Sequence, residues 1–279
     1  MGRLRRWADR IIESLLVLDT LLVYIFLYLP IGVLVLYSFS ASRYALVWGG
    51  FSLDPYRRLF ADPEIAPALL NSVIVAAVST AIATILGTLL ALAFERARAR
   101  LQASVEALVY LPIVIPEIVM AVGLLLFFAQ VLRPFFSALG LTLGPMPTVI
   151  IGHVTFSISY VMVVVRARLR DLDRSLEEAA FDLGATSWQV LRRVTLPLLA
   201  PAILSGALLA FTLSLDDFYV TYFSTTGGSG FKTLPLYLYA LQGRAAIPPQ
   251  MNALATLMLL ASVTLIALAL LIQRRTRRA

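Results

Sequence analysis

"SLEEAAFDLGATSWQVLRRVTLP", residues 175–197, crowds helix-start and helix-stop signals into a charged segment of an otherwise oily chain. Ser175 and Glu178 have the spacing of a capping box, in which the hydroxyl accepts from the Glu178 amide and the carboxylate returns to the Ser175 amide. A short helix from about Leu176 to Leu183 follows, and Gly184 is suited to the left-handed turn that would close it. Thr186 and Gln189 repeat the box, starting a second helix that runs through Leu191 and Val194 towards Pro197. Leu172, Leu176, Ala180 and Leu183 form an apolar stripe, flanked by Ala179 and Phe181. Helices this short do not hold in water alone, because nucleation is costly. The stretch predicts a docking element with a partner to pack against.

Outward from it, both flanks become apolar. The chain has 279 residues, is 60% apolar and 14% charged, and has a mean hydropathy of +0.87. An average soluble domain carries about 25% charge, so the composition points to a membrane protein. Windows nearly free of charge fall at 20–42, 65–94, 107–132, 134–165, 194–215 and 245–273. Each can hold the roughly 20 apolar residues that cross a bilayer. The expectation is an all-α integral membrane protein forming one transmembrane domain over 1–279. Its spans are expected near 15–38, 69–94, 108–130, 147–166, 199–223 and 252–272, with a cytoplasmic loop at 167–198.

With both termini inside, the inner segments carry 17 Lys/Arg and the outer loops 6, the asymmetry of the positive-inside rule. The basic, then apolar start lacks a small-residue cleavage site before Pro30 and reads as a retained span. The arginines of "QRRTRR" (273–278) suit a cytoplasmic anchor on anionic lipid rather than nucleic-acid binding. There is no cysteine and one histidine, His153, so neither a disulfide nor a thiolate or histidine metal cluster is expected. "TTGGSGFKT" (225–233) is not a phosphate-binding loop, because Phe231 separates Gly230 from Lys232; it reads as a flexible outer turn. HExxH and GxSxG are missing as well. The chain is expected to be non-catalytic, and energy from ATP must come through another polypeptide.

Glu178-Ala179-Ala180, three residues, Gly184, nine residues, then Val194-Thr195-Leu196-Pro197 resembles the EAA loop of ABC importer membrane subunits. Val194 for isoleucine is the one conservative departure. The resemblance implies a type I ABC importer permease fold, with coupling helices seated in a cleft of a cytoplasmic ATPase. Leu176, Glu178, Ala179, Ala180, Phe181, Asp182 and Gly184 then become ATPase-coupling residues. Glu178 has a second reading as a helix cap alone. Trp188 reads equally as an interfacial anchor or a partner contact.

Ionisable residues inside spans are costly and mark pathways or partners. Asp216 and Asp217 fall roughly 28 to 30 Å along a helix from Pro197, near the outer rim. Neighbouring side chains point about 100° apart, so only a helix break would let both face one cavity. Glu117 follows Pro112 and Pro116, which loosen the helix where backbone lines a cavity. These acids suit a cation, with Tyr219 and Tyr222 adding cation–π contacts; pairing with arginines is the other reading. His153 reads as a satisfied bundle residue rather than a ligand.

"SLDDFYVTYF" (214–223), "TLPLYLYALQ" (233–242) and "NALATLMLL" (252–260) resemble the permeases of spermidine and putrescine importers, most of all the second of their two membrane subunits. The likeness implies a heterodimer with a related six-span subunit, two copies of an ABC ATPase, and an extracytoplasmic polyamine-binding protein in a bacterial inner membrane. ATP and magnesium would be bound by the ATPase, leaving no cofactor here. Permeases for ferric iron, sulfate or phosphonate, and an ion-coupled secondary transporter, are the alternatives.

Overall fold

A computed structural model describes residues 2–95, 99–225, 230–243 and 247–276, with side chains over 12–95, 106–225, 230–243 and 247–267. Most of the glycine-rich outer stretch (226–229) and the end of the basic tail (277–279) lie outside the described residues. The described fold is helical, with one isolated bridge between Ser40 and Phe51. Among the described residues, six segments are long and apolar enough to cross a membrane: Ile12–Tyr37, Ile65–Glu95, Glu117–Ala138, Pro145–Arg170, Ser187–Asp216 and Gln250–Ala267. The number agrees with the charge-free windows.

The chain divides into two compact units. The first comprises residues 1–62 and 240–260. It contains α1 (Gly2–Tyr37), the short α2 (Asp54–Ala61) and the first turns of α13 (Gln250–Thr276). The turn after α1 is organised by serines, with Ser38 Oγ meeting the Tyr56 hydroxyl at 2.8 Å and Ser40 Oγ donating to the Val47 carbonyl at 2.8 Å. Asn252 Nδ2 donates to the Ala45 carbonyl at 2.8 Å, tying this turn to α13.

The second unit, residues 63–239 and 261–279, holds Glu117, Asp216 and Asp217 and the 167–198 loop. Its core is α7 (Pro145–Arg170) between α3 (Ile65–Glu95) and α10 (Leu196–Asp216). Lipid supplies no hydrophobic force between such helices, so close approach over small residues has to hold them. Val161 of α7 sits against Gly87 of α3 and Gly206 of α10, where an added Cβ would come to 2.8 Å and 3.3 Å of it. Ala91, Phe94, Met162, Val165, Leu199 and Ala210 continue this core.

Prolines shape the remaining helices. Wide π turns at Phe128–Leu132 and Leu191–Thr195 each end two residues before a proline, Pro134 and Pro197. A proline ring crowds the carbonyl four residues back, and a wider i→i+5 turn relieves that clash without ending the helix. Thus α5 (Glu117–Phe127) continues into α6 (Arg133–Ala138), and α9 (Ser187–Val190) into α10.

Two expected spans differ from this. The stretch 108–130 is divided at Pro116, where α4 (Ala99–Val114) ends and α5 begins, because Pro116 lacks an amide and adopts ψ 132°. The fifth span stops at Asp216: Asp217 is extended, ψ 129°, and α11 (Tyr219–Thr225) starts anew.

Candidate functional site

The loop after α7 folds as helix, turn, helix, with α8 over Ser175–Asp182. Gly184 has φ +81°, and its amide donates to the Phe181 carbonyl at 2.9 Å while that of Ala185 donates to Ala180 at 3.0 Å. These are the paired bonds of a Schellman closure. The Thr186–Gln189 capping box forms, with Thr186 N–H donating to Gln189 Oε1 at 2.8 Å. The first box does not form. Ser175 is already inside the helix, and its amide donates to Asp173 Oδ1 at 2.9 Å. The nearer Asp173 carboxylate takes the donor that the Glu178 carboxylate would have answered, and the Glu178 amide donates to the Arg174 carbonyl at 3.1 Å rather than to the Ser175 hydroxyl. The Ser175 backbone bond, then its side chain, holds the Asp173 carboxyl below its ordinary value.

Two long-range contacts brace α8. Glu177 accepts from the hydroxyl of Thr195, which is buried in the π turn entering α10. Arg174 pairs with Glu95 at the end of α3, 3.1 Å away. α8 borders an open cavity of about 370 Å³ lined by the apolar Leu92, Leu169, Leu172, Leu176, Val194 and Leu198 and by the charged Glu95, Arg170, Asp173, Arg174 and Glu177. Its outer face shows Leu176, Glu178, Ala179, Phe181 and Asp182 exposed, with Ala180 half-buried. Leu183 is 90% exposed and Trp188 65%.

The second feature is built where helices are interrupted. Glu117 opens α5, an end favourable to negative charge. It borders a cavity of about 240 Å³ with Pro112, Ile113, Met120, Phe156 and Tyr160. Its side chain also lies near that of Asp217. Asp217 turns inward and caps α11, accepting from the amides of Val220 at 3.2 Å and Thr221 at 2.8 Å and from the Thr221 hydroxyl at 2.8 Å. Asp216 is exposed and accepts from Ser262 Oγ at 3.1 Å. The break thus separates the two aspartates, one into the protein and one onto its surface.

His153 is 1% exposed. Its Nδ1 meets Ser214 Oγ at 2.6 Å, and its Nε2 lies 2.9 Å from Thr221 Oγ1 and 3.1 Å from Asp217 Oδ2. It is a fully partnered bundle residue. Beyond Asp216, α11 carries an aromatic face. The Phe218 and Tyr222 rings stack with centroids 5.5 Å apart, and Tyr239 of α12 (Leu234–Gln242) packs 4.9 Å from Phe218 and 5.9 Å from Tyr222. Tyr219, Tyr222 and Tyr239 keep 40%, 43% and 49% of their surface open. Sequence reasoning missed Phe218 and Tyr239, although helical i, i+4 spacing joins Phe218 to Tyr222.

Six helices long and apolar enough to cross a membrane among the described residues, with a braced helix–turn–helix loop between two of them, are the form of a transporter membrane subunit. The chain belongs to the family described as "Binding-protein-dependent transport system inner membrane component", whose family model matches residues 83–278. It is accordingly a non-catalytic, multi-pass inner-membrane component of an ABC transport system. It is similar to the spermidine/putrescine transport system permease protein PotC of Haemophilus influenzae, 41% identical over 253 residues, covering 91% of this chain and 94% of that one. The putrescine transport system permease protein PotI of Escherichia coli K12 is 40% identical over 241 residues, 86% of this chain and 83% of that one. Among solved structures, a bacterial ABC transporter involved in import of the acidic polysaccharide alginate superposes with TM-score 0.73 at 23% identity, covering 97% of this chain and 99% of that one. The MetNI methionine transporter gives 0.60 at 20% identity, covering 80% and 98%. At those identities the structures speak for the fold alone.

Proposed function

We propose that this chain forms half of the translocation pathway of an ATP-driven importer of polyamines, spermidine and putrescine. The reading is supported by the relatives' transport of such cargo, as their names state. The observation that carries it is that Asp216, the last residue of α10, is exposed, and that Tyr219 and Tyr222 of the next helix and Tyr239 of α12 keep open rings. A polyamine is a string of ammonium groups on methylene spacers. Carboxylates meet its charges, and aromatic faces meet both, each cation–π contact contributing about 0.5–2 kcal/mol. Glu117 supplies a second open carboxylate. Sulfate or phosphonate would be repelled by the same groups.

In this reading the basic loops and both termini are cytoplasmic, and α8 docks in an ATPase through Leu176, Phe181, Leu183 and Trp188, with Glu178, Ala179, Ala180, Asp182 and Gly184 shaping the seat. A related six-span subunit completes the pathway, two ATPase copies drive it, and an extracytoplasmic binding protein delivers cargo. Closure of the ATPase pair draws the coupling helices together and opens the bundle outward.

The test is ATP-driven uptake of radiolabelled putrescine and spermidine by vesicles holding the full complex. Asp216→Asn should raise the KM about tenfold or more, the effect of losing one charge-assisted contact. Unchanged uptake would remove Asp216 from the pathway, and uptake driven by a proton gradient without the ATPase would overturn the importer reading.

A further inference from the structure

The two aspartates owe their different fates to the backbone break at Asp217, and that break is bracketed by one side chain. Ser214 lies in the last turn of α10, before the break, and Thr221 in α11, after it. His153 contacts both, Nδ1 to Ser214 at 2.6 Å and Nε2 to Thr221 at 2.9 Å, and adds Asp217 at 3.1 Å. Nε2 faces a carboxylate and so carries its proton. The Ser214 hydroxyl continues to Ser79 of α3 at 3.2 Å, and Ser79 Oγ donates to the Val75 carbonyl at 2.6 Å. The α7 surface beside His153 is cut to receive α11: at Gly152 an added Cβ would come within 2.7 Å of Val220 Cγ1.

We infer that His153 is a positioning residue of the pathway: it staples the α10–α11 break, holds Asp217 inward as the α11 cap, and so leaves Asp216, Tyr219 and Tyr222 on the open side. This rests on the polyamine reading for the role of the open face, but not for the geometry. In hydrocarbon the amides freed by a break find no water, so they need an internal acceptor. Asp217 is that acceptor, and His153 fixes its carboxylate. Titratable groups facing the imidazole and its partner are Asp217 itself and, through Asp217, Glu117.

The chain contains no cysteine, so single cysteines report accessibility without background. In the assembled complex, Tyr219→Cys should react readily with a membrane-impermeant thiol reagent, and Val220→Cys, whose parent side chain is fully buried, should be protected. His153→Gln places an amide where Nε2 lies and keeps the α11 side. His153→Asn places one where Nδ1 lies and keeps only the Ser214 side. Val220→Cys labelling should stay near the parental rate in the Gln variant and rise about tenfold in the Asn variant, the effect of one lost buried hydrogen bond on a local opening equilibrium. Polyamine KM should follow the same order, with maximal velocity less affected. Equal protection in both variants would overturn the inference. So would failure of both to assemble with the ATPase, which would make His153 a general folding residue. If the parental complex carries no polyamine while the labelling order holds, the cargo reading fails and the staple stands.

Discussion

Gly184 offers a quantitative test of the coupling role proposed for the loop, because its surroundings separate backbone from side-chain effects. Its φ is +81°, and nothing lies within 4 Å of the position a Cβ would take. Substitution therefore costs conformation and not space within this chain. An L-residue held left-handed costs roughly 1–2 kcal/mol. The eight-residue α8 lies over a cavity and is held by Glu177–Thr195 and Arg174–Glu95. The ion pair contributes about 1 kcal/mol or less and the charge-assisted hydrogen bond about 1.5–3 kcal/mol, so the penalty is a large part of what holds the helix. Gly184→Ala should lower the properly closed population by a factor of about 5 to 30. Asparagine tolerates the left-handed region, so Gly184→Asn should fall less. Gly184→Asp shares that tolerance but puts a negative charge at a helix C-terminus, adding about 0.3–1 kcal/mol. β-branched Gly184→Val should be worst. The assay is cargo moved per ATP hydrolysed in proteoliposomes holding the complex, with insertion checked by yield. The expected order is Gly, Asn, then Asp and Ala, then Val. An Asn variant as uncoupled as Val would refute the backbone argument, placing the constraint in the partner's cleft. A fully coupled Ala variant would remove the turn from the mechanism.

Other consequences follow from the packing. Gly87→Val should reduce thermal stability of the purified complex by about 1–3 kcal/mol, the usual effect of overpacking, since even a Cβ would meet Val161 at 2.8 Å and the Ile158 carbonyl at 2.9 Å. A Tm equal to the parent's would show that α3 and α7 yield there. Thr195→Val removes the donor to Glu177 and should lower transport per ATP without changing insertion, whereas Glu177→Gln keeps an acceptor and should stay near parental; the reverse order would dissociate this bond from coupling. Leu183→Glu should leave thermal stability within about 0.5 kcal/mol, as at an open surface site, yet reduce ATPase capture on co-purification; undiminished capture would take Leu183 out of the docking face. Asp217→Asn should preserve the α11 cap, because asparagine caps well, while Asp217→Ala should cost about 0.5–2 kcal/mol of stability. Equal Tm values for the two would refute the capping role.

The spans were legible because charge is excluded from them, and hydropathy needs no knowledge of neighbours. Gly184 and the Thr186–Gln189 box were legible because caps are local, involving residues three apart. The same locality misled at Ser175, where Asp173 lies just outside the box pattern and wins the donor. Hydropathy is blind to backbone direction, so 108–130 reads as one apolar run although Pro116 divides it. The break at Asp217 had a signal of its own, an aspartate three and four residues ahead of amides needing a cap, obscured by the strongly apolar helix before it. Glu177 with Thr195 and His153 with Ser214 are separated by 18 and 61 residues. No short-range pattern encodes such pairs; packing creates them.

Those long-range pairs follow from how this bundle reconciles rigidity with interruption. Where α3, α7 and α10 must stay together, glycine lets Val161 approach closely, and Ser79, Ser214 and His153 add one buried polar tie among the three helices. Where a helix is interrupted inside the membrane, freed amides must be answered by side chains, because lipid supplies no water. At Asp217 the answer comes from an acid, and an acid turned inward needs its own donors, which Thr221 and His153 provide. Asp216 has no such obligation and remains available at the surface. Adjacent identical residues therefore carry separable tasks: at Asp217 a neutral hydrogen-bonding replacement preserves what matters, and at Asp216 it removes it. Measuring Tm and uptake KM for Asn at each position should leave stability near parental at both and impair affinity at 216 alone, if the break, rather than the charge pair, defines the site.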